Sequence, residues 1–212
     1  VVKHLNYLSR YCEKILKMKQ IAYFLSFVAI IMFGFTPKKN NTYTVDVEKS
    51  SITWIGRKVT GEHTGKIKIA SGKLIADAKT LKGGEFLFDM KTITCTDLSG
   101  EYRDKLVGHL KSEDFFSVDK YPTAKFELLK IVPIAKNKAT ITGKLTIKGI
   151  TQSISFPAVI TISDKLVKAD AQKVLVDRTL FDIRYGSKSF FNIGDKAIDN
   201  DFELNINLIA NL

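Results

Sequence analysis

The sequence predicts an all-β domain, an antiparallel sheet of about eight long strands curled into a closed barrel or a sandwich. Three observations predict it. From Tyr43 onward, run after run alternates apolar with polar residues, the period of a half-buried strand. The apolar set of each run falls on one side and Thr, Lys, Ser, Asn and Glu on the other, a one-sided wetting that marks antiparallel pairing. Only short polar or glycine-containing breaks separate the runs, with no linker or internal repeat.

The chain opens differently. Residues 21–35, IAYFLSFVAIIMFGF, form an unbroken apolar run preceded by Lys17 and Lys19 and followed by PKKNNTYT. This run is shorter than the roughly 20 residues a spanning helix needs and matches the apolar region of an export signal. A periplasmic or secreted protein is therefore expected. Met18 stands directly before Lys19, so translation is expected to start there, with residues 1–36 comprising an upstream segment and the signal. No small-x-small site precedes Thr36, which leaves an uncleaved anchor as the alternative; no cysteine follows the run, which argues against a lipoprotein anchor. A single domain is expected over residues 40–212.

Its elements follow in order. Tyr43, Val45 and Val47 share one face, as do Ile52, Trp54 and Gly56, and then Phe86, Phe88 and Met90. A helix is expected next, capped by Asp97 or Ser99, because Leu98, Tyr102, Leu106 and Leu110 recur at four-residue spacing. Pro122 disfavours helix at Tyr121, and beyond it Phe126 and Leu128 alternate with charged neighbours as a strand. Phe115 and Phe116 thus fall where helix turns into strand, a place for aromatics that plug a core end or line a pocket mouth. Three clean runs complete the domain: Ile141 to Ile147, Ile154 to Ile162, and Phe202 to Ala210. Gly149 and Asn137 mark tight connections.

Charge and chemistry narrow the function. The net charge is +11; residues 1–36 hold five Lys or Arg and one Glu, which leaves +7 for the rest. The lysines, such as Lys66, Lys68, Lys144 and Lys148, alternate along the strands without stacking aromatics, so they read as a solvated face and not as a nucleic-acid site. Weak, transient attraction to anionic membrane surfaces is the accompanying expectation. Cys95 is the only cysteine after Cys12, so no internal disulfide forms in the domain and its stability comes from the core. Two histidines, His63 and His109, and one cysteine give no metal-site spacing. Gly61–Lys66 has too few residues between its glycines for a phosphate loop. His109, Ser112 and Asp114 have the side-chain types of a hydrolase triad but no Gly-x-Ser-x-Gly elbow accompanies them. No catalytic residue, metal or cofactor is assigned, and the protein is not expected to be an enzyme.

Four segments carry a resemblance: YTVDVEKSSITWIGR, GHLKSEDFFSVDKYPTAKFE, ITGKLTIKGITQSISF and DRTLFDIRYGSKSFFNIGDKAIDNDFELNINLIA. In this order and over nearly the whole chain from Tyr43, they resemble the YceI-like family of bacterial exported proteins. The resemblance implies an eight-stranded, lipocalin-like antiparallel barrel with a short helix near one end, whose tunnel holds a polyisoprenoid or similar long amphiphile. One departure is plain. Family members often carry Arg-Asp-x-His-Leu before the Ser-x-Asp-Phe-Phe element, whereas here Lys105 to Gly108 separate Arg103-Asp104 from His109-Leu110.

A barrel of this size either fills itself with side chains or holds one slender ligand. An isoprenoid lipid, of the quinone or polyprenyl phosphate type, suits it as ligand and partner, because each buried methylene contributes about 0.8 kcal/mol without polar contacts. The candidate tunnel walls are Phe86, Phe88, Phe126, Leu145, Ile147, Phe156 and Phe181, side chains that ordinary core packing would use equally well. Phe115 and Phe116 are candidates for the mouth. Arg178 matches the family's late arginine and would meet a polar head or pair with a carboxylate such as Asp182. The competing reading is a packed barrel that acts through its outside as an adhesion or interaction module. A homodimer is one of the oligomeric states left open.

Overall fold

The computed structural model describes residues 40–77, 80–192 and 194–212, with Lys14 and Met18 in addition. The chain divides into residues 1–39 and 40–212, and the second unit is the one that carries the sheet. The apolar run and the signal expectation lie outside the described residues. Among the described residues, no helix is long and apolar enough to cross a membrane.

Nine strands form one antiparallel sheet: β1 (Asn41–Val45), β2 (Ser51–Lys58), β3 (Gly61–Ala76), β4 (Leu81–Cys95), β5 (Thr123–Ala135), β6 (Lys138–Ile147), β7 (Ile150–Ile162), β8 (Leu166–Asp177) and β9 (Ile198–Asn211). Among the described residues of 40–212 there is one α-helix, α1 (Gly100–Lys111), between β4 and β5. The sheet closes because β3 pairs with β4 and because β1 and β2 both sit between β3 and β9. Those two short strands run in the same direction, one after the other, so nine strands occupy eight positions around the barrel. It is the eight-stranded antiparallel barrel with one short helix that the resemblance implies.

Residues 46–50 interrupt this shared position. Asp46 folds the break by accepting from the Lys49 amide and ammonium, and the Ser50 hydroxyl takes the place of a backbone group, accepting from the Ile209 amide at 3.0 Å. Val47, expected on the first apolar face, lies in this break and is exposed. The expected connections are found. Lys148 and Gly149 both have left-handed φ values, 51° and 75°, which suit the two-residue turn between β6 and β7. Lys148 is therefore a turn residue and not part of a strand's wet face.

Inside the barrel the apolar faces meet as one core, from Tyr43 and Leu74 to Phe126, Leu145 and Val176. Outside, polar side chains pair across strands, as Thr142 with Ser155 and Thr146 with Thr151, both at 2.8 Å. The helix departs from expectation in one residue. Leu106, Val107 and Leu110 pack against the core, but Tyr102 is 77% exposed. A stripe at strict four-residue spacing drifts round a helix of 3.6 residues per turn, and Tyr102 falls on the wet side. Ser99 occupies the N-cap position without a side-chain bond, and Asp97 is engaged elsewhere.

Candidate ligand-binding site

The helix delivers two phenylalanines to the barrel end. Its last carbonyls need partners, and the chain supplies them by folding back: the Phe116 amide donates to Leu110 O at 3.1 Å and the Val118 amide to Lys111 O at 2.9 Å. Ser117 takes a left-handed φ of 47° to make this return. Phe115 and Phe116 are thereby fixed side by side with different surroundings.

Phe115 is buried beneath α1. Its ring meets His109 edge-on at 4.9 Å between centroids, lies 5.6 Å from Tyr185, and sits 5.9 Å from the Arg178 guanidinium carbon. Phe116 turns toward β9, edge-on to Phe202 at 6.4 Å. The two rings help to shape two adjoining cavities.

The inner cavity, about 120 Å³, lies within the barrel, and all 25 residues that line it are apolar. Phe86, Phe88, Phe116, Phe126, Leu145, Ile147 and Phe156 are among them. Phe126 is the hub of the aromatic wall, 6.3 Å from Phe86 and 5.8 Å from Phe156. It can lie across the barrel because Gly143 opposes it: a methyl group there would overlap the Phe126 ring and crowd the Glu127 carbonyl.

The second cavity, about 330 Å³, lies at the helix end and is of mixed character. Phe115 and Arg178 line it, with Trp54, Tyr185, Arg57, His63, His109, Asp199 and Asp201. Ile67, Phe116 and Phe202 line both cavities and so form the partition between them. Phe181 lines neither. It is fully buried in the 3₁₀ turn Arg178–Phe181, a core residue and not a wall of either space.

The polar groups are held in place. Arg57 bridges Glu62 at 3.0 Å and Glu203 at 3.2 Å. His63 meets Asp97 at 2.8 Å, and His109 meets Asp114 at 3.1 Å. Burial would raise the Asp97 carboxyl, but hydrogen bonds from His63, the Thr64 amide and Cys95 outweigh it and bring it down to about 2. Arg178 is buried and takes no carboxylate partner of the kind expected; Asp182 pairs with Arg184. Its guanidinium donates instead to three main-chain carbonyls, Asp199 at 3.0 Å, Ile183 at 2.8 Å and Ile198 at 3.2 Å. Burial lowers its pKa, partly offset by the charges of Asp177 and Asp199; arginine nonetheless remains a cation. Arg178 is therefore a clamp for the strand-to-turn junction and, at the same time, positive charge at the cavity wall.

The hydrolase-type trio does not assemble. The Ser112 hydroxyl donates to the His109 main-chain carbonyl at 2.8 Å and not to its ring. Among the described residues, no group of three or more His, Cys, Asp and Glu is placed to hold a metal ion. Several lining residues escaped the sequence reading of the site. Phe202 and Leu204 stood on a recognised apolar face, and Ile67 was signalled by its alternation with Lys66 and Lys68. Tyr185 lies in an irregular segment with no periodic signal.

Comparison with known proteins agrees with this architecture. Residues 43–210 match the model of the YceI-like domain. Among solved structures, BcnA of Burkholderia cenocepacia is similar over 78% of this chain and 99% of its own, with TM-score 0.64 and 21% identity. A polyisoprenoid binding domain from Saccharophagus degradans, implicated in plant cell wall breakdown, aligns over 80% of this chain and 97% of its own, with TM-score 0.60 and 14% identity. At these identities the likeness is one of fold. A UPF0312 protein of Pseudomonas putida (strain W619) is 33% identical over 94 residues, 44% of this chain and 47% of its own length. The chain thus spans about half the length of the curated relatives it matches. With the family model matched over nearly the whole barrel, the chain belongs to the YceI-like domain family.

Proposed function

We propose that this protein is an exported carrier for a polyisoprenoid or similar long amphiphile, with the apolar tail inside the barrel and the head in the helix-end cavity. The observation that carries the reading is the change of lining across one partition. A wholly apolar space and a mixed, charge-bearing space share Ile67, Phe116 and Phe202, which is the order of environments an amphiphile needs. The solved relative described as a polyisoprenoid binding domain supports the same class of ligand. Export rests on the basic and apolar pattern of Lys17, Lys19 and residues 21–35.

Size refines the picture. An apolar cavity of about 150 Å³ is known to take a benzene-sized molecule, so the inner cavity of about 120 Å³ accepts a ring-sized piece of tail as it stands. A longer tail extends into the helix-end cavity once the Phe116 and Phe202 rings turn aside. The presence of this space favours a carrier over a solid barrel that works only through its outside. The test is mass spectrometry of an organic extract of protein purified from a prenyl-lipid-producing host. One equivalent of prenyl lipid is expected. Repeated lipid-free preparations that also take up no prenyl lipid from detergent micelles would overturn the reading.

A further inference from the structure

The outward surface of the β5–β6 hairpin does not follow the rest of the barrel. Residues 129–139, LKIVPIAKNKA, contain three lysines and no carboxylate. Two register shifts, at Leu128/Lys130 and Pro133/Ala135, leave Leu129 and Ile134 as the skipped residues. Both are exposed, at 55% and 62%, and Val132 and the neighbouring Val159 of β7 are exposed with them. Lys130, Lys136 and Lys138 are exposed as well, beside this apolar group.

The same stretch is where the wall of the barrel parts. The β4–β5 ladder runs from Asp89 opposite Thr123 to Gly84 opposite Leu128 and stops there. Among the described residues, β5 beyond that rung pairs with β6 alone. The inner cavity reaches the break: Leu128 at the last rung, Leu81 at the start of β4 and Ile141 opposite Ile131 all line it.

We infer that the β5–β6 hairpin is a docking edge for an anionic lipid bilayer. This edge lies at the barrel end opposite the helix-end cavity, so the docking goes beyond the carrier reading and does not depend on it. Charge decides the occupant. Edge-to-edge pairing with a second copy would set two groups of three lysines against each other, and Pro133 has no N–H to give to such a ladder. An anionic bilayer offers negative charge for the lysines and an apolar layer for Leu129, Val132 and Ile134. The nearby carboxylates do not cancel the site: Glu85 on β4 and Glu127 at the start of β5 are held by Lys125 at 2.9 and 3.2 Å, and Asp170, opposite Val159, accepts from Gln172.

Co-sedimentation with vesicles tests the assignment, using phosphatidylcholine alone and equal parts phosphatidylcholine and phosphatidylglycerol. Wild-type protein should sediment with the anionic vesicles only, and less so as salt is raised. Each basic residue near such a surface is worth about a fivefold gain, so Lys130→Gln, Lys136→Gln and Lys138→Gln together should weaken binding about a hundredfold. The exposed pair Leu129→Gln and Ile134→Gln should weaken it too, while both variants still take up prenyl lipid from detergent micelles. Equal binding to neutral vesicles, undiminished binding by the lysine variant, or a solution dimer that Ile134→Gln dissociates would overturn the docking edge. Anionic-vesicle binding without lipid uptake from micelles would uphold the edge and overturn the carrier reading instead.

Discussion

Phe115 and Phe116 are neighbours in sequence and unlike in surroundings, and their difference can be measured. Phe115 is buried among His109, Tyr185 and Arg178, so Phe115→Ala should cost about 3 to 5 kcal/mol of unfolding free energy. Phe116 is only partly buried and forms the partition between cavities, so Phe116→Ala should cost less stability and shorten lipid retention more. Denaturant unfolding of lipid-free protein, paired with the rate of lipid loss, separates the two; equal stability losses with wild-type retention would make both rings simple core plugs. Asp97 yields a pH signature. Its folded pKa of about 2 lies below the ordinary 3.8, so its contribution to stability is present above pH 3.8 and is lost as pH falls through the folded value. Asp97→Asn should therefore unfold earlier than wild type near neutrality, with the gap closing between about pH 4 and pH 2 in thermal melts. The alternating pattern marked Phe126, Leu145 and Phe156 as inward residues. It gave no sign that Phe181 packs outside both cavities or that Arg178 spends its donors on carbonyls, because both follow from how a 3₁₀ turn sits against β9.

At the scale of elements, β6 shows what a strand gives up to leave space. Gly143 faces inward beneath the Phe126 ring, where an alanine methyl would overlap the ring and meet the Glu127 carbonyl at 2.6 Å. Gly143→Ala should cost about 1 to 3 kcal/mol in chemical denaturation and displace the Phe126 ring into the inner cavity, with weaker uptake of prenyl lipid. Loss of stability without any change in uptake would separate this glycine from ligand binding. The β6–β7 hairpin was legible from its alternation and from Gly149, since both signals are local. β1 and β2 were legible as strands but not as one shared position, because that depends on β3 and β9 accepting them in turn. The helix was legible in place and length, while its buried stripe includes Val107 and leaves Tyr102 in water.

For the whole molecule, the export reading makes a direct demand on the N-terminus. Expressed with its own leader, exported protein should lack residues up to about Phe35, where the apolar run ends. N-terminal sequencing that finds Val1 or Met18 on exported material would overturn cleavage, and a full-length membrane-bound product would indicate an anchor. The all-β class, the inward faces of β1, β2, β4 to β7 and β9, and the β6–β7 turn were determined by the sequence itself, because a two-residue period and a turn's φ requirements are written in neighbouring residues; β8 was not among the runs so marked. Closure, the partition between an apolar and a charged cavity, and the early end of the β4–β5 ladder were decided only by the tertiary structure. Each joins residues far apart in the chain, such as Gly84 with Leu128 and Phe116 with Phe202, and whether such partners leave a space or fill it depends on ring placement and register, which no local pattern encodes.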